Sequence, residues 1–226
     1  MTPKAKAGVY VTEKNVQIDR CACAWFITRY LDSKPTFKFI KQGEQPPAGI
    51  SYDFFGADYF HNGPDCSYTN FVKIHVKKPD PALIGINAIV NDVFAWRNGP
   101  NSLSIEFKKY IDILAGQGLS DTEIYNNCLP IFDLLYLSNK GNTTGMSTEG
   151  KKATSQLTKK LFKDIYSSNA NQYSDIQVIW NKQSIDLSKK QPDLKSLQKM
   201  LIEHPPVDKD KEPLYKLLIS ILKSKN

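Results

Sequence analysis

Two short segments carry the residue types most able to do chemistry: Asp19-Arg20 and His61-Asn-Gly-Pro-Asp-Cys66. An acid beside a guanidinium at a strand-to-helix junction could hold an anion, with the arginine fork and the helix amides both donating. The plainer reading is a capping aspartate and a surface arginine. Asp19 and Cys66 are the candidate catalytic groups. His61 lies in a polar loop rather than on an apolar stripe, which suits a ligand, acid-base or capping role. Cys66 opens the next helix, where it is either a thiol with a lowered pKa or a small buried residue. Cys21-Ala-Cys23 with His61 and Cys66 would supply four zinc-type donors. Residues two apart on a helix point about 200° from each other, so that pair could share one ion only if the helix start unwound. His75 and His204 read as surface residues.

The elements that must position these groups follow from the spacing. Gly8 to Thr12 alternates apolar and polar residues and reads as the first strand. A helix follows, capped by Asp19, with Ala22, Trp25, Phe26 and Arg29-Tyr30 on one stripe and Pro35 as its latest end. Thr36 to Ile40 and Ile50 to Phe55 read as strands, with Asp58 to His61 continuing the sheet after a turn at Gly56. Gly63-Pro64 makes the His61 segment a turn, and Tyr68 to Val76 resumes helical spacing.

Downstream, Asp80 caps a helix that begins at Pro81 and ends by Asn98-Gly-Pro100. A second helix spans Leu103 to Ala115. Ser120-Asp-Thr-Glu123 is a capping box opening a third, which Pro130 should kink or split. The predicted fold is therefore α+β and mainly helical, a small N-terminal sheet packed with a layer of helices. Residues 1–139 form the first domain, 140–150 a turn-rich linker, and 151–226 a mostly helical, Lys-rich extension. In that extension Thr154 to Ser167, Leu194 to Ile202 and Leu214 to Leu222 read as helices and Ile176 to Trp180 as a strand.

Of 226 residues, 41% are hydrophobic and 23% charged, the balance of a folded globular chain and not of a disordered one. No apolar run approaches the roughly 20 residues that span a bilayer, so the expected location is cytoplasmic, away from membranes. Four cysteines are too few and too unevenly spaced for a disulfide scaffold. The net charge of +7 is unevenly placed: residues 1–139 hold 14 basic and 14 acidic residues, whereas residues 140–226 hold 16 lysines, no arginine and 9 acidic residues. Such lysines would suit phosphate contacts. The missing arginines argue against base readout, so composition permits a nucleic-acid partner without favouring it.

Taken together, Gln17 to Asp32, Phe37-Lys-Phe-Ile40, Tyr52-Asp-Phe54 and His61-Asn-Gly-Pro-Asp-Cys-Ser-Tyr68 resemble the ChrB-type chromate-resistance family. The resemblance runs on through Asp80-Pro81, Ile89-Val-Asn-Asp92 and Ser120-Asp121 to Ile131-Phe-Asp-Leu-Leu-Tyr136, covering residues 8–139. It implies a role in chromate resistance or sensing; joined to the residue reading, the leading expectation is a small anionic ligand held by Arg20, His61 and Trp25. Metal- or thiol-dependent catalysis and DNA-binding regulation are the alternatives. The family pattern also carries an acidic residue where this chain has Thr69 and a histidine where it has Asn91, a set that would suit iron, manganese or zinc. With those two replaced, His61 and Asp92 are the metal ligands that the resemblance leaves.

Overall fold

A β-branched, alternating strand followed by a helix and a second strand is the recipe for a right-handed parallel unit. The chain begins this way. The computed structural model describes residues 8–78, 80–95, 102–141, 145–183, 185–186 and 193–223. Strand β1 (Val9–Glu13) leads through α1 (Ile18–Phe26) to β2 (Thr36–Ile40), which lies parallel to β1 with Tyr10 opposite Phe37. The short β3 (Ile50–Ser51) pairs with the other side of β1, also parallel, giving the order β2-β1-β3.

Only Ile50 and Ser51 of the segment expected to run to Phe55 are in the strand. Asp53 turns the chain into the left-handed region with φ of 57°, and Phe55 stands 97% exposed. Beyond the turn a single bridge, Tyr52 to Tyr59, takes the place of the expected sheet continuation.

Helix α1 is buried almost all the way round, by the sheet on one side and by helices on the others. These are α2 (Ser67–His75), α3 (Pro81–Ala95), α4 (Ser102–Gly116) and α5 (Asp121–Ser138). Asp80 caps α3 by accepting from the Ala82 amide, and the Ser120/Glu123 capping box opens α5. Pro130 sits buried within a continuous α5 and does not split it. The expected stop at Asn98-Gly-Pro100 lies outside the described residues.

After α1 the helix widens into an underwound π turn, Ile27–Leu31, where the Asp32 amide reaches back five residues to the Ile27 carbonyl. The turn leaves the Arg29 carbonyl to accept from the amide and hydroxyl of Ser147, the N-cap of α6 (Thr148–Tyr166). The extension continues as α7 (Ala170–Lys182), α8 (Leu194–Glu203) and α9 (Glu212–Lys223). Ile176 to Trp180, expected as a strand, lies inside α7: Asn169 caps that helix on the Gln172 amide, and Ile176 and Trp180 share its buried face. α6 packs on α5 and the π turn, and α9 packs on α4. The fold is mainly helical α+β. Among the described residues no helix is long and apolar enough to cross a membrane.

Candidate functional site

β1 is the central strand, and the strand order reverses there: β2 lies on one side, and β3, which follows β2 in the chain, crosses back to the other. The crevice beyond the carboxyl ends of parallel strands at such a branch is where ligands bind in open sheets. Asp19 follows the end of β1, Asp53 follows the end of β3, and the His61 loop closes over both.

Asp19 does not cap its own helix. Gln17 occupies the cap of α1 and makes no side-chain cap bond. The fully buried Asp19 carboxylate instead accepts from the amides of Ser67 (3.0 Å) and Tyr68 (2.9 Å) at the start of α2, a helix whose N-cap, Cys66, supplies no side-chain acceptor. A carboxylate at a helix N-terminus meets orphan amides and the positive end of the dipole.

Asp53, which the motif reading passed over as part of a strand, is the second acid. One oxygen accepts from the Ser67 hydroxyl (2.7 Å) and the other from Arg20 Nε (2.9 Å). The signal that could have found it is a charged residue inserted between Tyr52 and Phe54 in an apolar run.

Arg20 is committed to the protein. Its Nη1 donates to the carbonyls of Glu13 (3.2 Å), Lys14 (2.7 Å) and Asn15 (3.3 Å), and its Nη2 to the Asp53 carbonyl (3.0 Å) and the Glu13 carboxylate (3.4 Å). A guanidinium whose donors are all engaged by carbonyls and carboxylates has no fork left for a free anion. It ties the end of β1 to the Asp53 turn.

His61 completes the cluster. Its Nε2 lies 3.2 Å from Asp19 Oδ2 and 3.3 Å from Asp53 Oδ1, while 44% of its side chain faces outward. Hydrogen bonds to Asp19 and then Asp53 outweigh partial burial and push its pKa up to about 10. Burial is the main influence raising the Asp19 pKa, opposed by His61 and the Tyr68 amide. Burial acts in the same direction on Asp53, but His61, the Arg20 charge and the Ser67 hydroxyl together overcome it and hold its carboxyl below the usual range. One ligand atom from each of Asp19, Asp53 and His61 lies within 4.8 Å of the others, and among the described residues this is the one such group able to hold a metal ion.

The other candidates lie elsewhere. Trp25, expected beside a ligand, is fully buried, with its indole N–H donating to Asp133 (2.8 Å). The same carboxylate takes Arg29 through both oxygens (2.9 and 3.0 Å) and the Thr154 hydroxyl (3.1 Å), a buried network that sequence reasoning missed. Asp92 accepts from the Ser104 hydroxyl (3.1 Å) between α3 and α4 and is not in the cluster with His61.

Thr69 hydrogen-bonds to Asn87, and Asn91 donates to Asn87 and accepts from the Cys66 amide. The two replaced positions thus meet in a neutral polar patch. All four cysteines are free and buried. Burial, then the Asp19 charge, pushes the Cys66 thiol up, the opposite of activation, and the Cys23 thiol is raised by the same two causes. The four-donor zinc set is not assembled: Cys21 interacts with Cys128 while Cys23 faces Asp19, as residues two apart on a helix must diverge.

Among known families, the model described as "ChrB, C-terminal domain" matches residues 10–139, more than half of the chain. The chain belongs to the ChrB C-terminal domain family. The resemblance read from the residue motifs is thus borne out. A curated relative, "Protein ChrB" from Cupriavidus metallidurans, is 35% identical over 60 residues, which is 26% of this chain and 18% of the relative. The match therefore spans under a fifth of that relative's length. No solved structure matches. Membership of the ChrB family supports a chromate-resistance-related protein. All of the Asp19, Asp53 and His61 cluster falls within the family segment.

Proposed function

We propose that Asp19, Asp53 and His61 hold a divalent transition-metal ion in this chromate-resistance-related protein, and that a small anionic ligand such as an oxyanion is bound through that ion. The observation carrying this reading is the convergence of the three ligand atoms within 4.8 Å around a half-exposed imidazole. Two carboxylates balance the charge of a dication, and an imidazole beside them suits manganese, iron or zinc. When bound, such an ion supplies a Lewis-acidic centre, which no side chain of the cluster provides. Arg20 cannot supply it, since its donors hold Asp53 and the β1 carbonyls.

The chain's residues have distinct parts in this arrangement. Ser67 and Arg20 fix the two Asp53 oxygens, and the start of α2 fixes Asp19, so both carboxylates are aimed before any ion arrives. His61, on a turn at the surface, is the gatepost between the pair and solvent.

The test is calorimetric titration of chelator-treated protein with manganese, zinc and, anaerobically, ferrous iron. One ion per chain is expected, and Asp53→Asn and His61→Ala should each weaken binding by about tenfold or more. Sulfate or chromate should then bind only to the metal-loaded protein. The absence of stoichiometric metal binding, or equal affinity in His61→Ala, would overturn the reading.

A further inference from the structure

Helix α2 holds both carboxylates of the cluster: the Ser67 and Tyr68 amides donate to Asp19, and the Ser67 hydroxyl donates to Asp53. The same helix also reaches the loop that carries the imidazole. One turn beyond Ser67, Asn70 Nδ2 donates at 2.5 Å to the Phe60 carbonyl, which belongs to the peptide joining Phe60 to His61. A carbonyl only accepts, so the nitrogen of the Asn70 amide and not its oxygen must face it. Further along α2, Lys73 Nζ lies 2.5 Å from Asp65 Oδ2, at the other end of the loop.

Between these two tethers the chain makes a closed turn. Asn62 and Asp65 exchange both backbone hydrogen bonds (3.0 and 3.1 Å), and Gly63 takes a φ of 60°. Where the ends of such a turn are pinned decides where His61 stands. Packing fixes Asp19 and Asp53, which are buried, but an imidazole partly open to solvent depends on its backbone for its place.

The two tethers differ in strength. The Lys73 side chain is 60% exposed, so its ion pair is of the surface kind, screened by salt and opposed by the freedom lost from a long stem. Asn70 has a short side chain on a helix and an uncharged acceptor, so its bond costs less ordering and does not depend on salt.

We infer that Asn70 is the positioning residue for His61: through the Phe60 carbonyl it sets the imidazole against Asp19 and Asp53, so that one helix aims all three ligands. The inference rests on the metal reading above and concerns its most exposed ligand. A ligand that must be ordered as the ion binds weakens the site by the cost of that ordering, and placing it beforehand removes the cost.

Calorimetric titration of the full chain with zinc and manganese tests this. Asn70→Leu keeps the size of the side chain, suits a helix at least as well, and removes the donor; Asn70→Ala is the companion variant. Each should weaken binding of both ions about threefold to tenfold, the worth of one hydrogen bond, and by no more than His61→Ala does. Lys73→Gln should weaken it less than about twofold. In the His61→Ala background Asn70→Leu should change nothing further, because a residue that acts through His61 then has nothing to hold. Nitrogen NMR of the zinc-loaded parent should show His61 Nε2 as a metal-bound nitrogen, and in Asn70→Leu that signal should move toward the free position. Parent affinity in both Asn70 variants, the same loss with His61 present and absent, or an unmoved His61 signal would each overturn the inference while leaving the metal reading in place. A parent chain that binds neither ion would overturn both.

Discussion

Replacing Asp133 with leucine should remove a large part of the fold's stability. The Arg29 and Asp133 side chains are 1% and 0% exposed and meet through two hydrogen bonds, and Asp133 also accepts from Trp25 and Thr154. Loss of one partner from a buried pair costs about 3–5 kcal/mol, because the other charge stays behind without compensation. Against a typical total of about 5–15 kcal/mol this is about a fifth or more of the stability. Removing both charges, as in Arg29→Met with Asp133→Leu, should recover at least about 2 kcal/mol relative to the single variant. The double variant should still fall short of the parent by about 1–3 kcal/mol, because the Trp25 N–H keeps no acceptor. Guanidinium unfolding followed by far-UV circular dichroism, run as a double-mutant cycle, reads each quantity. A loss below about 1 kcal/mol in Asp133→Leu, or a double variant no better than the sum of the singles, would refute the reasoning.

Two further outcomes follow from local geometry. Ellman's reagent at about pH 8 should leave all four cysteines unmodified in the native protein and modify all four after unfolding. Burial raises the thiol pKa of Cys21, Cys23 and Cys66 and so suppresses the reactive thiolate at that pH, and Cys128 is sterically enclosed. Rapid native labelling of Cys66 would contradict this and revive thiol chemistry. Gly150→Ala should cost about 1–3 kcal/mol, since its Cβ would fall 2.3 Å from the Arg29 carbonyl oxygen. Gly116→Ala, with nothing within 4 Å, is the neutral control in the same unfolding assay.

Rules that act over a few residues read this chain well, and long-range partnerships escaped them. The Ser120/Glu123 box and the Asp80-Pro81 helix start are local signals, and both stand where spacing put them. Asp19 shows the opposite. Its position at a helix start made it a local cap, yet the amides it satisfies belong to residues 67 and 68, and nothing within α1 encodes that. Asp53 was hidden because a two-residue strand and a left-handed turn have no hydrophobic period to betray them. Ile176 to Trp180 has a strand-like composition, but the Asn169 cap and the flanking sequence carry it into a helix. His61 was legible as a polar loop histidine; that two buried carboxylates face it was not. Arg20 shows that residue type alone misleads: an arginine in a largely neutral segment suggests an anion, while its actual neighbours are oxygens of the protein itself.

The Arg29 and Asp133 network also has a meaning in time. The charged face of α1 and its π turn is made early in synthesis, but its acceptor lies 104 residues further on and the Thr154 hydroxyl that completes the set comes later still. Contacts of such sequence separation close slowly, since loop entropy must be spent before they form. The nascent segment therefore leaves the Arg29 guanidinium and Trp25 indole to water until α5 has emerged, and α6 then adds the Thr154 hydroxyl. During that interval its apolar surface is open to association with other chains, and the lysine-rich extension closes the network last, through Thr154.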